Sequence, residues 1–183
     1  MRRSLSSGDA SELVRAEQDV QARLTELGID HDIDVVSMAA VANVFRVASA
    51  ARSRFERTVL APGGLSFTAF TVLWVLWVWG ELESRHLAVE AGITKGTLTG
   101  VVTTLERRGL VSRRSNEQDR RQVLVSSTAD GAELMGVLFP RFNAEEAHVR
   151  GSLDDDEARQ LAHLLRRVLR RIEVLDGNGH GAT

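Results

Sequence analysis

A chain of 183 residues with 43% hydrophobic and 26% charged side chains and a formal charge of -2 carries apolar mass for one globular fold and is neither disordered nor fibrous in composition. It has no cysteine, which excludes disulfides, zinc-thiolate sites, thiol redox sensing and a cysteine nucleophile. The start MRRSLSSGDASEL lacks the apolar run of a secretory signal, and the stretch 67–79 is shorter than the roughly 20 residues a bilayer span needs, so a cytoplasmic protein without membrane contact is expected.

Residues 1–8 are Ser-rich and expected to be flexible. From Ser11 a helical stripe of Leu13, Val20, Leu24 and Leu27 runs to Gly28. A longer helix over 34–61 carries Met38, Val41, Phe45, Ala48, Phe55 and Val59 before Pro62-Gly63-Gly64 breaks it. Ser66 is placed to cap a third helix through Phe70, Leu73, Trp74 and Trp77 to Gly80. Then the pieces shorten: a helix over 83–91, the turn Gly92-Ile93, and Thr94 as cap of a helix that Gly109 closes. Two short helices joined by a tight glycine-containing turn predict a helix-turn-helix. After Gly109 the hydrophobic period changes from 3.6 to 2, giving a strand at 110–114, a polar turn at 115–118 and a second strand at Val123-Leu124-Val125. Thr128 caps a further helix with Leu134, Val137, Leu138 and Phe142, in which Pro140 is expected to make a kink. Asp154 and Glu157 have capping-box spacing ahead of a last helix whose stripe is Leu161, Leu164, Leu165, Val168, Leu169, Ile172 and Leu175.

The predicted fold class is therefore mainly α with a small β-hairpin wing, a winged helix-turn-helix flanked by helical regions. Its expected divisions are a disordered start at 1–8, N-terminal helices at 9–61, a winged helix-turn-helix lobe at 62–127, C-terminal helices at 128–175, for which the resemblance given below implies dimerisation, and a flexible tail at 176–183.

Charge distribution sharpens this reading. Between Arg107 and Arg121 six arginines stand against Glu117 and Asp119, a local balance of +4, whereas acids gather at Glu145-Glu146 and Asp154-Asp155-Asp156-Glu157. On the helix after Thr94, Leu98, Val101, Val102 and Leu105 form the inward stripe. Lys95, Gly96, Thr99, Gly100 and Thr103 then lie broadly outward, with Thr97 between groove and core edge. Such a short polar face suits a major groove, where threonine meets base edges or thymine methyls and glycine permits close approach; the plain alternative is a solvated helix surface.

The ordered set LSFTAFTVLWVL, GITKGTLTGVVTTLERRGLV and SNEQDRRQVLVSSTADG resembles the MarR family of transcription regulators over roughly residues 36–175. Its most specific part is Leu105-Glu106 with Gly109-Leu110-Val111, followed by Asp119-Arg120-Arg121. The resemblance implies a homodimer on a palindromic duplex DNA operator, acting as a repressor, with first and last helices of two chains interlocked. The helix at 11–27 lies outside the minimal family pattern and is expected to pack across that interface. The resemblance further implies that Asp119 braces Arg121 while Arg120 or Arg121 enters the minor groove. Arg113 and Arg114 then face phosphates or the protein's own acids. It also implies a small aromatic or phenolic effector, for which Phe45, Arg46, Ser49, Phe70, Trp74 and Trp77 are the candidate residues, the alternative being that the tryptophans fill the core. Val20, Thr71 and Val101 stand where a urate-responsive subgroup has Trp, Asp and Arg, so urate is not expected.

No cofactor, metal or catalysis is expected. The E-x-x-H step of Glu145 with His148 lacks the further inward Glu residues that a ferritin-like di-metal site needs, and no P-loop or GxGxxG is present. Arg166-Arg167 and Arg170-Arg171 read as a solvated face rather than a second DNA site. The competing functional class is a winged-helix interaction module that does not read DNA.

Overall fold

The computed structural model describes residues 10–179, so the flexible segment expected at 1–8 and the end of the expected tail lie outside the described residues. The helices are α1 (Ala10–Glu26), α2 (Val35–Phe55), α3 (Phe67–Trp79), α4 (Ser84–Glu90), α5 (Lys95–Arg107), α6 (Ala129–Arg150) and α7 (Asp155–Gly179). The strands are β1 (Leu82–Glu83), β2 (Val111–Ser115) and β3 (Val123–Ser127). The last helix reaches Gly179, past the tail expected from residue 176. In the capping box at its start the Asp154 amide donates to Glu157 Oε2 and the Glu157 amide to Asp154 Oδ1, both at 2.9 Å.

Two compact units divide between Arg54 and Phe55. In the first, Asp34 caps α2 by accepting from the Val36 and Ser37 amides. Glu17 of α1 accepts from Asn43 and Arg46 of α2 at 2.9 and 3.3 Å. None of residues 11–54 is buried, and Phe45, Val36 and Val47 are among the large apolar side chains left in solvent. The helical run Val35–Gly63 is long and apolar enough to cross a membrane by length and composition, a run that the sequence reading passed over in favour of 67–79. It also carries Arg46, Arg52, Arg54, Glu56 and Arg57. After Phe55 it loosens through a π-helical turn (Glu56–Leu60) and then tightens through a 3-10 turn (Ala61–Gly63), where the long uniform helix expected to residue 61 gives way.

The second unit holds the core. Phe142 of α6 stacks on Phe70 at 4.3 Å and on Phe55 at 4.5 Å between ring centroids, with Phe67 beside them. Such pairs add about 0.5–1.5 kcal/mol each beyond their burial. Leu73, Leu87, Leu98, Leu105, Val125 and Met135 are fully enclosed around them. On α6 it is Met135, rather than the expected Leu134 and Val137, that faces inward; Val137 is exposed. Pro140 sits inside α6, which continues through it to Arg150.

The hairpin expected from the sequence is part of a three-stranded antiparallel sheet ordered β1-β3-β2. Arg113 pairs in register with Val125, and Leu82 of β1 pairs with the same Val125 from the other side. A strand of two residues leaves no periodic signal, so β1 was invisible until its partner was placed. Thr128 fastens α6 to the sheet: its hydroxyl donates to the Gly109 carbonyl at 2.6 Å and accepts from the Gly131 amide at 3.1 Å. This brings Gly131 so close to β2 that an added Cβ would lie 2.1 Å from the Leu110 carbonyl oxygen. Gly131→Ala is expected to destabilise the protein by about 3 kcal/mol, since backbone rather than a pliable side chain must yield. A urea midpoint equal to that of the parent would contradict this.

Candidate nucleic-acid interface

The α4-turn-α5 unit presents the outward face that the pattern predicts. Thr94 adopts an extended backbone and accepts from the Thr97 amide at 3.2 Å, fixing where α5 begins. Leu98, Val102 and Leu105 are buried, while Lys95, Gly96, Thr97, Thr99, Gly100 and Thr103 are exposed. Thr97 is thereby placed on the outer surface, its hydroxyl shared with that of Thr94 at 2.9 Å. The Thr99 hydroxyl donates back to the Lys95 carbonyl at 3.0 Å, leaving its methyl and lone pairs for an outside partner.

The wing tip is ordered by its own side chains. Asn116 and Gln122 close the loop through a main-chain bond of 3.0 Å and a side-chain bond of 2.8 Å. Within it Asp119 accepts from both the amide and the Nε of Arg121, at 3.0 and 3.1 Å, so the pairing expected of Asp119 is present. The Arg121 side chain is nonetheless 90% exposed. Arg120 is exposed and makes no ion pair among the described residues.

Arg113 and Arg114, named from sequence as DNA-facing, are occupied by the protein's own carboxylates. Arg113 binds Glu106 of α5 through Nε at 3.0 Å and through Nη2, and Arg114 binds Glu81 at 2.9 and 2.6 Å. Of the two roles considered for them, the geometry supports internal pairing, which ties the wing to α5 and to the residue before β1. The bonds from Arg113, Arg114 and Arg121 hold the carboxyls of Glu106, Glu81 and Asp119 below their ordinary ranges. A carboxyl depressed in the folded state contributes stability above its unfolded value of about 4 and loses it as pH falls through the lower folded value. The wing is therefore expected to loosen on acidification below about pH 4, read as faster amide exchange in β2 and the tip. Exchange there that stays constant relative to α3 down to acid pH would contradict the anchoring.

Between α5 and the wing lies a cleft of about 240 Å³ lined by Glu83, Ser84, Arg85, Lys95, Thr99, Arg113, Arg121 and Gln122, floored by Leu98, Val102 and Val123. Ser84 donates to the Val123 carbonyl at 3.0 Å across its end. Arg85 was absent from the sequence-based set. Its one signal was position: a cation in the first turn of a helix opposes the helix dipole.

A family model described as MarR family matches residues 65–123, from the approach to α3 to the start of β3. The HTH-type transcriptional regulator YwaE of Bacillus subtilis is 34% identical over 158 residues, 86% of this chain and 91% of that protein. This chain belongs to the MarR family. It is a MarR-type helix-turn-helix transcription regulator, a class that binds DNA and is not enzymatic. BpsR of Bordetella bronchiseptica, solved in a study of how 6-hydroxynicotinic acid regulates its DNA binding, is 26% identical with a TM-score of 0.66, covering 70% of this chain and 97% of that one. An E. coli MarR mutant complexed with operator DNA is 25% identical with a TM-score of 0.63, covering 70% of this chain and 91% of that one.

Of the residues for which this MarR-family resemblance implies an effector contact, Phe70 is buried in the aromatic cluster. Arg46 is engaged by Glu17 and Asn43, so its charge is already answered within the first unit. Phe45 and Ser49 are exposed there, and in the second unit Trp77 packs on Phe139 at 5.7 Å with Trp74 half-buried. Glu145 lies 3.7 Å from His148 on α6, an intrahelical pair in which His148 is exposed and the Glu145 side chain is 13% exposed.

Proposed function

We propose that this cytoplasmic regulator binds a palindromic operator as a homodimer and acts as a repressor, released by a small aromatic effector. The observation that carries the DNA reading is the placement of the exposed Lys95–Thr103 face of α5 beside a braced arginine tip. α5 lies in the major groove and the wing reaches the adjacent minor groove. There Arg121 is the inserting residue. Asp119 preorganises its guanidinium while leaving it in solvent, so less side-chain freedom is lost on entry. Dimerisation is supported by the exposed apolar stripe of α7 and by a first unit without a buried residue among 11–54. The effector reading rests on BpsR, whose DNA binding responds to a hydroxylated aromatic acid.

Selection from random duplex DNA tests the reading: a two-half-site sequence should emerge, with affinity falling steeply as salt rises because phosphate contacts release counterions. Selection that enriches nothing would favour a winged-helix interaction module. Titration of hydroxylated aromatic acids should quench Trp74 and Trp77 fluorescence and weaken the selected complex.

Gly100 supplies a sharper test. It sits on the outer face of α5, and an added Cβ would meet nothing within 4 Å. The helix gains nothing from it, since glycine costs about 1 kcal/mol relative to alanine in a helix interior. Gly100→Ala is expected to raise stability by roughly that amount while weakening the selected operator roughly tenfold through lost close approach. Unchanged affinity would remove α5 from the groove floor.

A further inference from the structure

We infer that the cleft between α5 and the wing seats the sugar-phosphate strand that separates the two DNA grooves, held by Arg85 of α4 and Lys95 of α5. The inference rests on the DNA-binding reading and extends it to a backbone contact that Arg85, outside the recognition helix, makes together with Lys95 at the start of that helix.

An element in the major groove and an element in the next minor groove must straddle one backbone strand, because that strand forms the wall between the grooves. The space between the two elements is therefore where phosphates pass. Here it is the cleft of about 240 Å³, and four of its lining residues are cationic: Arg85, Lys95, Arg113 and Arg121. Arg113 and Arg121 are already bonded to Glu106 and Asp119. Arg85 and Lys95 are exposed and make no ion pair among the described residues. Each sits in the first turn of its helix, where a positive charge opposes the helix dipole, so neither is placed there for the stability of its own helix. They converge from two helices on one cleft, and the hydroxyls of Ser84 and Thr99 line it with them. Glu83 also lines it and works against an anion, which gives the assignment a sign that can be tested.

The experiment uses the full-length protein and the duplex recovered by selection, with affinity followed by fluorescence anisotropy across a salt series. Arg85→Gln and Lys95→Gln should each weaken binding roughly tenfold, equally on selected and random duplexes, since a phosphate contact carries no sequence information. Each should also reduce the slope of log affinity against log salt by about 0.9. Glu83→Gln should tighten binding. A scan placing one neutral methylphosphonate at a time should find a phosphate, between the major-groove and minor-groove footprints, whose neutralisation weakens the parent protein but not the Arg85→Gln, Lys95→Gln double variant. Arg85 and Lys95 are exposed and Glu83 is half-buried, and melting curves matching the parent check that the fold of each variant is intact. Equal salt slopes in parent and double variant would overturn the assignment, as would losses from methylphosphonate and substitution that add in full. A parent protein that binds no DNA would instead overturn the functional reading on which the assignment stands.

Discussion

Replacing Leu165 and Leu169 together with glutamate is expected to leave a folded monomer whose hold on its operator is weaker by roughly a thousandfold. These side chains are 41% and 55% exposed, and with Leu161, Leu164, Val168, Ile172 and Leu175 they form a continuous stripe along α7. Seven large aliphatic side chains on one helix face, each about half exposed, still stand to gain about half of the 1.5–3 kcal/mol that full burial of each is worth. In the proposed dimer a second copy of the same helix region would satisfy that demand by twofold symmetry. Carboxylates in the middle of such a seam would have to be desolvated without partners, and the dimer yields first. A monomer still carries α5 and the wing, so it retains half-site contacts. It loses the linkage that makes the second half-site intramolecular, worth about 10²–10⁴ in affinity. Sedimentation and operator titration check the two halves of this expectation. A variant that remains dimeric would move the interface away from α7.

The second large effect is expected at the wing tip. Arg121→Ala should weaken the operator complex about thirtyfold, and the Arg120→Ala, Arg121→Ala double variant by a hundredfold or more, on the scale of about 1–3 kcal/mol per well-made base contact. Arg121 is the braced residue and is expected to carry the larger share; Arg120, exposed and without an ion pair among the described residues, is expected to act on the DNA backbone. Asp119→Asn keeps the shape of the tip but removes the charge that orients Arg121, so its loss should be smaller than that of Arg121→Ala. The losses should fall mainly on operators with A·T pairs beneath the wing, because a narrow minor groove concentrates negative potential. Equal affinity for parent and double variant would remove the wing from the complex.

Much of this architecture was legible in the sequence because its signals are local. Ser66, Thr94 and Thr128 each cap the helix they precede, and a cap is written within four residues of chain. The buried stripe of α5 follows from its period, apart from Val101, which is only half-buried. What the sequence hid was set by contacts between distant segments. β1 exists only because β3 offers it an edge. Phe70 belongs to the core because Phe142 meets it from seventy residues away. For Arg113 and Arg114 the choice between phosphates and the protein's own acids is open in the sequence, because their partners Glu106 and Glu81 lie outside the wing. Arg85 enters the candidate site by the reverse route, since only the folded chain shows which cations near the wing are left without a carboxylate.

The strand order β1-β3-β2 has a practical consequence. β3 is the central strand, paired on both sides, and the loop from Asn116 to Gln122 closes on itself through its own hydrogen bonds. The sheet beneath does not depend on what that loop carries. The tip can be treated as an exchangeable cartridge: segments of equal length from other family members can be grafted between Asn116 and Gln122, keeping the closing pair, to transfer the minor-groove preference proposed for the tip while leaving α5 unchanged.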